Sequence, residues 1–558
     1  MQGNITGLSS GMDWGETVRM LMQIERTPVI QLQQRRSTYQ TQLTNWSAIE
    51  SRIKTLETAA LSLDEVSEFL INSTTSSDED ILTVSTNDEA IAGTHDVIIN
   101  QMARSHVMVH DDGWADSDTT AVNDTGSSQT FSFSYAGDTI SVTVPDGTTL
   151  NGLVNLINNH EDNGDPDDDT NSGVQASILN DGSGGDSAFH LVLTAKDTGE
   201  SNAIAIVDTQ DNPTDIGGGN GFDANTWETT QSGQNAEIKV DGYPNAGNQW
   251  IESAKNEIED VIPGITLNLK NTSDGEAIRI ETVLDKSEIR NAVTNVITAY
   301  NELIDHIDSV ASYDTETESA GPLFADSLTK SIKRELMSIF SSVIPGTVEG
   351  DTYRSLGKVG LSIGTGGKLS LDADEFDDAL DDDATAVARL FVFDVWSSSS
   401  YVSDVDYSEA TVGGEYDFTM TYDADGNLDA DGTNTLDGEA GTIHGEAFLA
   451  GAEDSNLEGL LLSLANPGDG PATLNGTIKV YTGLSAQLRT KIKNIIDSDE
   501  GQLKFTRDRI NDTIEGIDKR ITSYERRLES IEANYNRRFT QMELLIGQLN
   551  AQSNFINV

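Results

Sequence analysis

The chain contains no cysteine, so it can build no disulfide framework, no thiolate zinc site and no cysteine nucleophile. Aromatic residues are scarce at 6%. Gly, Asn, Asp, Ser and Thr are plentiful, a mixture that suits turn-rich β domains better than a densely packed enzyme core. No apolar run approaches the ~18–20 residues that cross a bilayer, so membrane insertion is not expected. The N-terminal MQGNITGLSSGMDWGETVRM has no basic stretch followed by an apolar one, and a cleaved signal peptide of the ordinary kind is not expected. No Ser lies in a G-x-S-x-G elbow and no Walker A loop occurs.

Basic residues are few, and their placement is uneven. The 558 residues hold 34 Lys and Arg against 93 Asp and Glu, a net charge of −59. Residues 1–70 hold 6 basic and 8 acidic side chains and residues 486–558 hold 12 and 11, which leaves 16 against 74 in residues 71–485. Near-neutral ends therefore flank a strongly anionic centre. Such a centre repels phosphate backbones and anionic lipid, so no nucleic-acid partner is expected. The plain reading of the acidity is a solvated surface suited to high salt, where charges are screened within a few ångströms; calcium loading is the sharper alternative.

Both ends read as helix. Pro28 ends or kinks a first segment carrying Val18, Leu21, Met22 and Ile24. A longer helix follows from about Val29 to Leu63, with Leu32, Tyr39, Trp46, Ile53 and Ala60 recurring at heptad spacing and Ile49, Leu56 and Leu63 at the second seam position. Trp46 falls in that seam, which makes it core in preference to a ligand platform. The C-terminal end carries the clearest signal. One seam reads Ile510, Ile517, Tyr524, Ile531, Arg538, Leu545, and the other Ile514, Ile521, Leu528, Tyr535, Met542, Leu549. Arg538 is the one break, and Phe539 sits beside it in position to fill the gap. Sustained alternation of 4 and 3 predicts a coiled coil, and matching seams at the two ends predict that they pair with each other.

The middle reads as β. Residues 81–103 hold two β-branched runs around Ala92-Gly93-Thr94, and 131–147 alternate apolar and polar residues about Gly137-Asp138 as a hairpin. Residues 148–160 turn helical, strands return at 173–182 and 189–199, a second β region spans 235–284, and a helical block follows at 286–345. Residues 393–485, acidic and rich in Gly and Asp, read as an inserted β segment. These signals divide the chain into 1–70, 71–234, 235–392, 393–485 and 486–558, an α+β protein with paired terminal helices forming a coiled-coil leg and two or three β-rich head domains between them.

Three polar constellations invite a chemical reading. His106 and His110 are four apart with Asp111 and Asp112 beside them, but an extended setting removes the helical alignment a metal pair needs, and incidental surface residues are the expectation. Asp423, Asp425, Asn427, Asp429 and Asp431 alternate like calcium ligands. Counted from Asp425, the sixth and twelfth positions are Ala430 and Leu436, so the EF-hand pattern fails and an acidic turn at Asp425-Gly426 is expected. Asp162, Asp165, Asp167, Asp168 and Asp169 form an acidic loop with no paired cleft for glycoside chemistry. No catalytic residue, cofactor or metal ligand is assigned, and an enzyme is not expected.

With these residues on the page, the chain resembles the flagellar filament-capping family, the flagellar hook-associated protein 2 family. Residues 5–32, ITGLSSGMDWGETVRMLMQIERTPVIQL, are similar to its opening. LTVSTNDEAIAGTHDVIINQMA (82–103) is similar to its first strand pair. ISVTVPDGTTLNGLVNLIN (140–158) with GVQASI (173–178) resembles the flagellin hook IN motif, with Ile157-Asn158 as the namesake pair. NAEIKVDG, DVIPGITLNLK, VITAYNEL, GPLFADS, GKLSLD and the tail at 537–556 follow in the family's order. The acidic load and residues 393–485 depart from it. The resemblance implies a cap at the filament tip: a ring-shaped homo-oligomer of about five copies that promotes flagellin assembly. It also implies export, with the flagellar export apparatus and a chaperone as partners, by the flagellar type III route to an extracellular site. A tip adhesin binding glycans through 393–485 and a hook–filament junction protein are the alternatives; an injection-type translocator would need membrane-active helices that the sequence lacks.

Overall fold

The computed structural model describes residues 11–556 apart from 88, 165–171, 208–221, 223–224, 317, 409, 424, 446 and 466–471. Its fold is α+β, helices with antiparallel sheets. The chain forms two units, Ile71–Asp285 and a second built from Met1–Leu70 with Lys286–Val558. The helices are α1 (Trp14–Glu25), α2 (Thr27–Leu61), α3 (Val66–Phe69), α4 (Leu150–Asn158), α5 (Lys286–Ala311), α6 (Ser327–Ser341), α7 (Ala373–Ala388), α8 (Leu484–Ile496) and α9 (Gln502–Ile556).

The 71–285 unit holds two cores. The first lies between a five-stranded sheet and a three-stranded one. In spatial order the five-stranded sheet runs Asn72–Ser76, Ile278–Leu284, Gly93–Gln101, Ala236–Val240, Ile251–Ser253, and the smaller sheet Glu257–Ile262, Ile265–Leu269, Leu82–Thr86. Val97, Ile99, Ile238, Leu267 and Ile280 fill the space between them. This corrects the expected boundary at 234/235. Strands on either side of it are hydrogen-bonded neighbours, because Ile238 pairs with Ile99 and Val240 with Val97. The two runs in 81–103 also do not pair with each other, since they belong to different sheets. The helical block after 285 belongs to the other unit.

The second core is an excursion from the first. Strands Trp227–Gln231, Ser105–His110, Phe189–Thr198 and Val174–Asn180 form one sheet, and Asp138–Val144, Gln129–Tyr135 and Ala205–Ile206 another. The hairpin at 129–144 turns on Ala136 and Gly137, at φ 51° and 92°, with Tyr135 opposite Asp138. Two successive positive φ values are what a two-residue hairpin with the right-handed strand twist requires, and Gly accepts one at no steric cost. Along Asp138–Val144, Ile140, Val142 and Val144 point inward and the alternate residues outward, as the pleat dictates. The Thr149 hydroxyl accepts the Gly152 N–H to cap α4, whose Leu150, Leu153 and Ile157 enter the same core.

The other unit combines a helical bundle with a β sandwich. Residues 393–482 form a five-stranded and a four-stranded sheet around Phe418, Met420, Leu449, Leu462 and Ile478. The expected 393–485 segment thus has a core of its own. Helices α2, α5, α6, α8 and α9 pack side by side, and Phe69 stacks on Phe391 with ring centroids 5.0 Å apart.

Candidate assembly interface

The terminal helices form a leg, and the break near its start is set by Pro28. The Asp13 carboxylate accepts the Glu16 N–H and caps α1. The Arg26 N–H closes that helix onto Met22 O and Ile24 O. Pro28 occupies the first turn of α2, where its missing N–H has no intrahelical partner to lose. It therefore starts a helix as well as separating two.

Along the leg the apolar seam meets two different fates. Over Trp46–Ala60, α2 faces α5, α8 and α9, and Trp46, Ile49, Ile53 and Leu56 are fully buried. Each such aliphatic side chain contributes roughly 1.5–3 kcal/mol when removed from water. Leu488, Ile492 and Ile495 of α8 are buried as well. Glu50 forms an ion pair with Arg507 across α2 and α9. The turn between α8 and α9 is held by Asp497, whose carboxylate accepts the N–H groups of Asp499 and Glu500; these bonds hold its carboxyl below the ordinary range.

Beyond this bundle, α9 continues against α1 and the first half of α2. Val18, Met22, Val29 and Leu528 form a small core, bordered by Ile521, Ile531, Tyr535 and Phe539. Trp14 stacks on Phe539 at 4.7 Å, and its indole Nε1 donates to Glu543 Oε1 at 2.6 Å. Arg36 and Asp518 pair at 2.8 Å on the surface.

The expected seam residues divide accordingly. Leu32, Trp46, Ile53, Ile510, Ile517 and Leu528 are buried, and Tyr39, Ile514, Ile521, Ile531 and Tyr535 are half-buried. Tyr524, Met542, Leu545 and Leu549 are exposed, Leu545 at 58% and Leu549 at 62%. After Tyr535 the inward positions become Phe539, Glu543 and Ile546, a run of two successive four-residue steps. A step of that kind is a stutter, which turns the heptad stripe away from its partner. The Arg538 break marks where it happens. The structure also brings in Trp14, Glu543, α5 and α8, which the heptad count missed because they pack from outside the two-helix register.

The polar constellations are structural. His106 and His110 are buried, not on the surface as expected, because positions four apart on the strand Ser105–His110 share its inner face. The His106 Nδ1 accepts the Ile204 N–H, and burial holds the imidazole below the ordinary histidine range. His110 lies 4.7 Å from the Phe222 ring and 5.0 Å from that of Trp227. In the Asp423–Asp431 turn, Asp423 Oδ1 accepts the N–H groups of Asp425 and Asn427, and Asp429 Oδ1 that of Asp431, so these carboxylates are used to fold the loop. Asp162 is exposed; Asp165, Asp167, Asp168 and Asp169 lie outside the described residues, as do 5–10 of the opening similarity. Among the described residues no helix is long and apolar enough to cross a membrane.

Comparison with known proteins agrees with this leg-and-head arrangement. The family described as the N-terminus of flagellar hook-associated protein 2 matches residues 10–106. A flagellar hook-associated protein 2 of Escherichia coli is 28% identical over 401 residues, covering 70% of this chain and 80% of that one. The B-type protein of that name from Pseudomonas aeruginosa is 27% identical over 413 residues, 70% of this chain and 81% of that one. A crystal structure of the flagellar cap protein of Escherichia coli superposes with a TM-score of 0.50 at 28% identity, over 62% of this chain and 89% of that one. The family described as the C-terminus of flagellar hook-associated protein 2 matches residues 233–551, more than half of the chain; with both ends of that family present in order, the chain belongs to the flagellar hook-associated protein 2 family.

Proposed function

We propose that the protein caps the distal end of a bacterial flagellar filament, as a structural assembly factor and not as an enzyme, and so promotes polymerisation of exported flagellin. The observation that carries this reading is the family match at both ends of the chain, joined to a leg whose far part leaves apolar side chains uncovered by the described residues. In this reading several copies form a ring, the β-rich domains roof the filament opening, and the legs occupy vacant subunit positions. Emerging flagellin then folds in place, and each new subunit displaces one leg. Leg contacts must be individually weak for that cycle. Near-neutral ends suit such contacts, since a uniform density of −59 would repel an acidic filament. Export by the flagellar type III route, with its chaperone, belongs to the same proposal.

The test is a strain lacking the gene. Abundant unpolymerised flagellin in the medium with few filaments, reversed by adding the purified protein, is the expected result. Normal filaments and motility would refute the proposal.

A further inference from the structure

The far part of α9 carries opposite charge on its two flanks. At 100° per residue, Arg520, Arg527 and Arg538 fall on one side of the buried seam and Glu525, Glu529 and Glu532 on the other. All six are exposed, and none has an ion-pair partner within the chain among the described residues. The acidic flank borders a groove of about 450 Å³ between α9 and the α1–α2 junction, with Val29 and Leu528 in its wall, Ile30 49% exposed at its rim, and Arg26 on the α1–α2 side facing the three glutamates, which leaves the lip net acidic. The basic flank carries exposed Tyr524 and Met542.

Cyclic rings are built from heterologous contacts, one flank of each copy against the opposite flank of the next. Rotation about a single axis also keeps neighbouring copies at the same height. A ring contact therefore has to match two different surfaces of one chain at the same level along the axis. The two charged flanks meet both conditions. They lie on opposite sides of the same helix, and they overlap along it between residues 525 and 532.

We propose that neighbouring copies touch leg to leg, with the basic flank of one α9 seated against the acidic-lipped groove of the next. Tyr524 enters beside Ile30 of the neighbour, and its flanking arginines face the neighbour's Glu525, Glu529 and Glu532. This rests on the ring reading above and adds to it the surfaces that close the ring. Because exposed charges are screened by salt, the contact also weakens as ionic strength rises.

The test uses the full chain and three variants. One carries R520E, R527E and R538E; another E525R, E529R and E532R; a third carries all six changes. Assembly is followed by analytical ultracentrifugation against concentration, with helicity by circular dichroism as the folding check. The unmodified chain forms rings. Each single-flank variant, which sets like charges face to face, needs about tenfold or more higher concentration to assemble. The six-fold variant, in which the two flanks exchange charge and stay complementary, assembles like the unmodified chain. Rings that form equally well in all variants would overturn the leg contact while leaving the ring reading standing. Loss in one single-flank variant only would also overturn it, as would normal rings that fail only in filament growth, because the groove then serves another occupant. An unmodified chain that stays monomeric at every concentration would instead refute the ring reading itself.

Discussion

The two halves of the leg carry the same kind of heptad and end in different environments. Around Trp46 the stripe is sealed on several sides by α5, α8 and α9, and its side chains are fully buried. Toward Leu549 the same alternation continues on α9, yet the stripe faces outward. Heptad spacing therefore reports that a helix has an apolar face; it does not report what covers that face. The sealed half carries most of the buried apolar surface of the leg, and the open half leaves apolar side chains exposed for the partner proposed above.

The comparison breaks most easily at its sealed end. Trp46→Ala should cost about 3–5 kcal/mol in urea denaturation, as deletion of a buried aromatic does. Leu549→Ala, by contrast, should stay within about 0.5 kcal/mol. Equal losses at the two sites would erase the distinction between the halves.

A smaller effect sharpens it within the open half. Glu543→Ala removes the carboxylate that the Trp14 indole donates to, and a buried donor left without it costs about 1–3 kcal/mol. Hydrogen exchange should show faster opening of α1 with no change in α5. Faster exchange in α5 would mean that the halves unfold as one. Smaller again is the surface pair Arg36–Asp518: Asp518→Asn should cost about 0–1 kcal/mol, and less in molar salt.

The smallest effect is that of acid. His306 on α5 has its imidazole held below the ordinary histidine range by burial and by the Arg52 guanidinium of α2. A lowered folded pKa means that the unfolded chain takes up the proton first as pH falls. The stabilisation is present above the ordinary histidine range and is lost as pH drops through it toward the folded value. Helices α1, α2 and α9 contain no histidine, so acidification from neutrality should loosen α5 in hydrogen exchange and leave the contact of α1 with α9 as it was. Replacing His306 with Gln should remove the pH response of α5.

Much of this architecture was legible. The pairing of the two ends followed from Leu32, Trp46, Ile53 and the Ile510–Leu528 run, because a long 3.5 period needs a second helix to satisfy it. The 129–144 hairpin followed from alternation about Gly137. The boundary at 234/235 failed for a physical reason: strands such as Ala236–Val240 carry no mark of a partner more than a hundred residues earlier. His106 and His110 were misplaced because two polar residues on a strand read as outward when nothing in the sequence says which face is covered. The outward turn of Met542, Leu545 and Leu549 was signalled only by Arg538 and Phe539.

The central claim is that the outward-facing apolar side chains at the end of the leg, Leu545 and Leu549, serve assembly and contribute little to the fold. Its most direct test is the double variant Leu545→Asp, Leu549→Asp, expressed in place of the native protein. Thermal unfolding should be unchanged while filaments are few and free flagellin accumulates in the medium. Full-length filaments from that variant, with the same unfolding curve, would contradict the account.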